Sequence, residues 1–237
     1  MAKFTAIVLS GGIGKRMRSQ VPKQYLMLRD KPVLAHSLLA FEQSNVDDIV
    51  IVSIAGDEDY IRKEFVEKYN ITKVSAIVPG GKERYDSVFC GLKACNGSDY
   101  VLIHDGARPY VTDEIIQRNI DEVQKFKAVV TGTEVTDTIK IADNEGYVAS
   151  TPKRNLCYAV QTPQSFEYGI VLSSYEKYIK DTETGTEVQA TDDAQVVALY
   201  SDTKVKLIEG DASNIKITNP SDLQQQTGGV LYGENRK

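Results

Sequence analysis

Three glycines with four cations close behind are the first groups in this chain whose types and spacing could do chemistry. Residues Ser10–Leu26 read SGGIGKRMRSQVPKQYL, directly after the apolar run Ala6–Leu9. Glycines let main-chain N–H groups come close to anionic oxygens. Arginine adds a fixed fork of donors and lysine a mobile point charge. The group served is therefore an anion of the phosphate class, and two familiar phosphate loops fail here on spacing. A dinucleotide fingerprint from Gly12 needs glycine where Met17 stands. From Gly11 it fails at Ile13, and the acid expected about 20 residues further on is missing. An ATPase-type loop from Gly11 or Gly12 needs glycine where Arg16 or Met17 stands. What remains is GG-x-G-x-R-M followed by Pro22-Lys23-Gln24, in which proline constrains the approach to Lys23. That composition suits a triphosphate; the plain alternative is a glycine-rich turn with solvated cations.

Other chemistries find few residues to use. The sequence presents no Ser/His/Asp or Cys/His arrangement. Its two histidines, His36 and His104, do not suffice for a Cys/His zinc site. The cysteines Cys90, Cys95 and Cys157 form no C-x-x-C pair and are odd in number, which fits a reducing cytoplasm. A net charge of -5 speaks against nucleic acid as the main partner. No run reaches the ~18 apolar residues of a membrane helix. The opening MAKFTAIVLSGG ends in Gly-Gly with Lys15 and Arg16 behind it, and reads as a first strand rather than a signal peptide.

These side chains need a frame. Apolar, β-branched runs recur at Thr5–Leu9, Asp48–Ile54, Val74–Val78, Tyr100–His104 and Ala128–Thr131. None alternates, as expected for strands of a parallel sheet covered on both faces. Helical patterns lie between them. One starts at Pro32, placed in its first turn, and another at Asp57-Glu58-Asp59; Glu83–Ala94 and Thr112–Phe126 complete the series. The alternation predicts an α/β sandwich, with ligands beyond the carboxyl ends of the strands. After about residue 132 the rhythm changes. Thr133–Thr151 holds two β-like stretches around Asp143-Asn144-Glu145-Gly146, which predicts a hairpin arm. A helix is expected over Tyr168–Lys180, a polar loop over Asp181–Ala190, a strand over Lys204–Ile208 and a short helix over Pro220–Gln226. Residues 1–227 read as one domain with an arm at about 133–156, and 228–237 as a loosely ordered tail.

Further motifs follow the strands in order. Gly80-Gly81-Lys82-Glu83-Arg84-Tyr85-Asp86-Ser87-Val88 opens a helix. His104-Asp105-Gly106-Ala107-Arg108-Pro109 ends the next strand. Then come Asp137-Thr138-Ile139-Lys140, Arg154, Gln161-Thr162-Pro163-Gln164, Thr191-Asp192-Asp193-Ala194 and Asn214-Ile215-Lys216-Ile217-Thr218. From about Phe4 to Leu223 the chain resembles the 2-C-methyl-D-erythritol 4-phosphate cytidylyltransferase family, which is related to the ribitol-5-phosphate cytidylyltransferases. The His-Asp-Gly-Ala-Arg-Pro and Thr-Asp-Asp-Ala stretches favour the former over the latter.

The resemblance implies a Rossmann-like nucleotidyltransferase sandwich with a mostly parallel sheet and a protruding β-hairpin dimerisation arm. It implies transfer of CMP from CTP to the polyol phosphate with release of pyrophosphate, and Mg²⁺ or another divalent cation as cofactor. Arg16 and Lys23 then neutralise charge at the α-phosphate and the leaving pyrophosphate. Ser10, Gly11, Gly12 and Gly14 wrap the nucleotide, while Gly81, Arg84 and Ser87 hold cytosine and ribose. Asp105 matches the acid that contacts metal and substrate, with Arg108 reaching substrate or pairing with Asp105. Thr138, Arg154 and Thr162 match positions that grip the methylerythritol phosphate, and Lys216 acts with Arg154 in placing the attacking phosphate. The arm crosses to a second subunit, so Thr138 and Arg154 serve the neighbour's site in a homodimer. Gly106 and Ser10 stand where alanine is usual in that family. Asp211 reads as a turn residue, with a second metal contact as the alternative, and His104 as a bystander.

Overall fold

The computed structural model describes residues 1–12, 21–185 and 190–226. Its centre is a seven-stranded sheet in the order β11-β7-β10-β6-β1-β4-β5. The strands are β1 (Phe4–Leu9), β4 (Asp48–Ser53), β5 (Val74–Pro79), β6 (Tyr100–Asp105), β7 (Ala128–Glu134), β10 (Tyr158–Glu167) and β11 (Lys206–Glu209). Every strand but β10 runs the same way; β10 is antiparallel to both its neighbours, β6 and β7. The short pair β2 (Met27–Leu28) and β3 (Lys31–Pro32) stands outside this sheet. So does the hairpin of β8 (Ile141–Ala142) and β9 (Val148–Ser150).

The missing alternation in the strands has its physical cause in two cores. Phe4, Ala6 and Val8 of β1 join a cluster on one face, with α1 (Val33–Gln43), α2 (Glu58–Ile61) and α4 (Asp113–Phe126). Ile7 faces the opposite cluster, covered by α3 (Arg84–Ala94), α5 (Tyr168–Glu183) and α6 (Asp193–Tyr200). Both faces of the central strands are therefore dry, and apolar residues occupy successive positions. The edge strands differ: β5 has only half-buried and exposed residues, and β11 has one buried residue of four.

Local sequence sets the helix ends. In α4, Thr112 caps by accepting from the Ile115 N–H, and Ile115, Ile116, Asn119, Ile120 and Val123 form the buried stripe. In α3, Glu83 and Asp86 form a reciprocal capping box. The hairpin turn at Asp143–Gly146 forms as read from the sequence, with Gly146 at φ 89°.

Two expectations need correction, and two elements lie outside them. Pro32 precedes α1 instead of entering its first turn, because its extended ψ of 150° closes the β2–β3 pair. The segment expected as a loop from Asp181 begins as helix, since α5 runs on to Glu183. Strand β10 was not foreseen, because Pro163 interrupts its pattern and cannot donate to a ladder. Helix α6 was not foreseen either: its eight residues offer a cap, Asp192, but little amphipathic contrast. A final helix, α7, covers Pro220–Gln226 as expected.

Candidate active site

The carboxyl ends of β1, β4, β5 and β6 meet at one rim of the sheet. Three main-chain hydrogen bonds stitch it: Ser10 N–H to the Val52 carbonyl at 2.7 Å, Gly80 N–H to Ser53 at 2.8 Å and Gly106 N–H to Leu9 at 2.9 Å. Ser10, Gly11 and Gly12 leave β1 here, and the buried Gln24 amide donates to the Ser10 carbonyl at 2.6 Å. Gly14 and Arg16 lie outside the described residues. Opposite, Ser87 on α3 accepts from the Gly81 N–H and donates to the Glu83 carbonyl, both at 3.2 Å. A side chain at Gly81 would strike Asp86 Cβ at 2.2 Å, so the turn can enter α3 this tightly only with glycine. At Gly106 a Cβ would come within 2.9 Å of the Leu9 carbonyl and 2.8 Å of Leu34 Cδ1. An alanine here would need a shift of the backbone or of Leu34.

Beside the rim lies a cleft of about 240 Å³ lined by Arg84, Asp105, Arg108, Gln161, Thr162 and Lys216, among others. Asp105, 8% exposed, is its negative centre. Lys216 Nζ donates to Asp105 Oδ2 at 2.6 Å, and Arg84 Nε approaches Oδ1 at 3.4 Å. Burial alone would raise the Asp105 carboxyl. Arg84 and then Lys216 outweigh that and hold it far below the usual carboxylate range. Arg108 makes no ion pair with Asp105; its guanidinium donates to the Asn214 carbonyl at 2.7 Å and the Val160 carbonyl at 3.4 Å. Of the two readings of Arg108, reaching substrate or pairing with Asp105, the second is not formed here: Lys216 holds Oδ2, Arg84 lies loosely beside Oδ1, and Arg108 turns to the two carbonyls.

Lys216 and Lys23 arrive from opposite ends of the chain. Ile215 and Ile217 join a small apolar cluster with Leu28 and Val33, which leaves Lys216 between them directed at Asp105. Ile217 also links the turn after β6 to the segment that carries Lys23. Its N–H donates to the Ala107 carbonyl at 2.8 Å, and its own carbonyl accepts from Lys23 Nζ at 2.9 Å.

Several positioning groups went unrecognised in the sequence. Asp193, fully buried, receives both terminal nitrogens of Arg84 at 2.8 Å and the Tyr175 hydroxyl. Burial lowers the Arg84 pKa, but Asp193 and Asp105 together raise it well above the usual arginine value. Of the two adjacent acids, Asp192 caps α6 through the Gln195 N–H, so Asp193 is turned inward. Gln161 grips the Asp211 backbone, and Asn214 donates to the Thr162 carbonyl at 2.9 Å, fastening the segment that carries Lys216 to β10. Asp211 is the expected turn residue, accepting from the Ser213 N–H. Thr138 and Arg154 are exposed on the arm and are not among the residues that line this chain's own cleft, and Arg154 reaches the Thr136 carbonyl. Among the described residues no cluster of three or more His, Cys, Asp or Glu could hold a metal without help.

The sequence profile of the 2-C-methyl-D-erythritol 4-phosphate cytidylyltransferases matches residues 4–227. The chain belongs to this family. It is thus a nucleotidyltransferase of the cytidylyl-transferring kind. The Lachnoclostridium phytofermentans member is 46% identical over 224 residues, spanning 94% of both chains. A Clostridium botulinum member is 44% identical over 225 residues, 94% of this chain and 95% of its own. Among solved structures, the 4-diphosphocytidyl-2C-methyl-D-erythritol synthase of Anaerococcus prevotii superposes with a TM-score of 0.83 at 36% identity, covering 95% of this chain and 94% of that one. The Thermus thermophilus cytidylyltransferase gives 0.73 at 27% identity, with coverages of 93% and 95%. The α/β architecture with its mostly parallel sheet is thus the fold of this cytidylyltransferase family.

Proposed function

We propose that this cleft joins CMP from CTP to 2-C-methyl-D-erythritol 4-phosphate, giving the CDP-alcohol and pyrophosphate. A substrate phosphate oxygen attacks the CTP α-phosphorus, and the bond from that phosphorus to the bridging oxygen of pyrophosphate breaks. The observation that carries this reading is the meeting of Lys23 and Lys216 across Ile217, with Asp105 and Arg108 beside them, at the carboxyl rim of the sheet. An anionic nucleophile needs no base, so the work is charge neutralisation and alignment. Lys23, with Arg16, would serve the triphosphate. Ser10–Gly12, Gly81, Arg84 and Ser87 would seat the nucleoside, and Lys216 and Arg108 the polyol phosphate.

The donor set fits a divalent cation in one form. Asp105 Oδ2 is held at 2.6 Å, but Oδ1 only loosely at 3.4 Å, which leaves one carboxylate oxygen for an ion such as Mg²⁺ that takes its remaining ligands from phosphates and water. Bound there, the ion would supply further neutralisation of the phosphate oxygens. A homodimer with exchanged arms is supported by the arm's exposed apolar side chains, Tyr147 at 70% and Leu156 at 72%. That arrangement would bring Thr138 and Arg154 to the neighbour's cleft. Free Cys90, Cys95 and Cys157 support a cytoplasmic setting. No helix among the described residues is long and apolar enough to cross a membrane.

The test is pyrophosphate release with CTP and Mg²⁺ on a panel of polyol phosphates. Turnover should be fastest with 2-C-methyl-D-erythritol 4-phosphate. Faster turnover of ribitol 5-phosphate would overturn the assignment.

A further inference from the structure

His104 is fully buried next to Asp105, outside the lining of the cleft. Its surroundings show a task. The β6–β10 ladder runs from Tyr100↔Glu167 to Ile103↔Gln164 and stops there. The next residue of β10 is Pro163, which has no N–H to offer. Beyond that point side chains take over the pairing. Thr162 Oγ1 accepts from the Asp105 N–H at 3.1 Å and lies 3.1 Å from His104 Nδ1. The other ring nitrogen, Nε2, lies 3.3 Å from the Arg108 carbonyl.

Proton accounting gives this chain a direction. A carbonyl only accepts, so Nε2 carries the ring proton and Nδ1 is the bare nitrogen. The Thr162 hydroxyl must then donate to Nδ1. The order is Asp105 N–H to Thr162, Thr162 O–H to His104, His104 N–H to the Arg108 carbonyl. The Arg108 carbonyl takes a second donor, Ser37 Oγ at 3.1 Å, and Phe41 packs edge-on against the imidazole at 5.1 Å, opposing rotation of the ring.

We propose that His104 is a positioning residue for the polyol-phosphate half of the site: by fixing the direction of the Thr162 hydroxyl it holds β10, Asp105 and the Arg108 turn in register. Thr162 then works through Asp105 and His104, its single proton committed to the imidazole and not to a bound phosphate. The inference rests on the reaction assigned above, so its first test needs no turnover. The chain has only two histidines, and ring ¹⁵N NMR of the full-length wild type, with His104→Asn for assignment, reads the tautomer directly. Protonated Nε2 with bare Nδ1 is expected for His104; the opposite tautomer overturns the proposal, whatever the enzyme's substrate.

The second test is kinetic. His104→Leu should lower kcat/KM for the polyol phosphate by about 30-fold, with the KM for CTP within about twofold. His104→Asn, whose amide oxygen can stand in for Nδ1, should recover to within about fivefold of wild type. Should the leucine variant not fold, Thr162→Val removes the same link from the other side and should give the same split, with Thr162→Ser as its rescue. Asparagine no better than leucine, or equal losses for both substrates, would refute a positioning role. A wild type that turns over another polyol phosphate would correct the substrate and leave the tautomer result standing.

Discussion

Acid should strip stability from this protein through one buried imidazole. Burial pushes His104 down from 6.5 to about 4, with Asp105 only partly opposing the shift. The folded chain therefore leaves it neutral at a pH where the unfolded chain binds a proton. A depressed folded value means the contribution is complete above the unfolded pKa and drains away as pH falls toward the folded one. Between about pH 7.5 and about pH 4.5 the unfolded state gains a protonation advantage of nearly two powers of ten, or ~2.6 kcal/mol at 1.36 kcal/mol per unit. For a chain of this size that is a drop in Tm of roughly 5–10 °C. The assay is equilibrium urea unfolding of wild type and His104→Asn at both pH values. His36 and the carboxylates titrate in both proteins, so the difference between the two pH losses isolates His104. The variant should lose ~2–3 kcal/mol less than wild type on acidification. Equal losses would refute the reasoning that this ring is neutral and sealed from water.

Other perturbations address the remaining parts of the site. Asp193→Asn removes the charge that faces Arg84; the arginine keeps some solvent, so the loss should be ~2–3 kcal/mol, below the range for a wholly buried pair, and an unchanged melt would count against it. Lys23→Ala should lower kcat by about 10²–10³ with little change in melting temperature, and a normal kcat would remove Lys23 from the mechanism. Mixing Lys23→Ala with Arg154→Ala subunits should restore activity if arms exchange; no recovery, with subunit exchange verified, would place both residues in service of one chain's own site. Replacing Tyr147 and Leu156 together with serine should shift sedimentation from dimer to monomer, and a retained dimer would take the arm out of the interface.

Much of the frame was legible because it depends on local order. Five strands, the capped helices and the Asp143–Gly146 turn follow from runs, caps and turn residues that lie within a few positions of one another. Strand β10 was not legible, since a strand that inserts antiparallel between β6 and β7 is chosen by its neighbours and not by its own pattern. The site divides in the same way. Lys216 and Asp105 stood out by motif, and the structure joins them at 2.6 Å across 111 residues. Asp193 stood in a quoted motif without a role, because which of two adjacent acids caps a helix and which turns inward depends on where Arg84 and Tyr175 end up. His104 was passed over for a related reason: its partners are a backbone carbonyl and a threonine 58 residues away.

Strand β10 has one more consequence. It is a single ten-residue beam, roughly 33 Å long at 3.3 Å per residue. Its first three residues are exposed at the root of the arm, and the next six are buried, with Gln161, Thr162 and Gln164 along the wall of the cleft. The pairing with β7 shifts register between Val160 and Gln164, where the strand passes from the arm to the wall of the cleft. A grip on the arm and a ligand in the cleft thus load the same segment. Any coupling carried through it must be reciprocal: the change that a grip on the arm makes in ligand affinity equals the change that ligand makes in the strength of the grip.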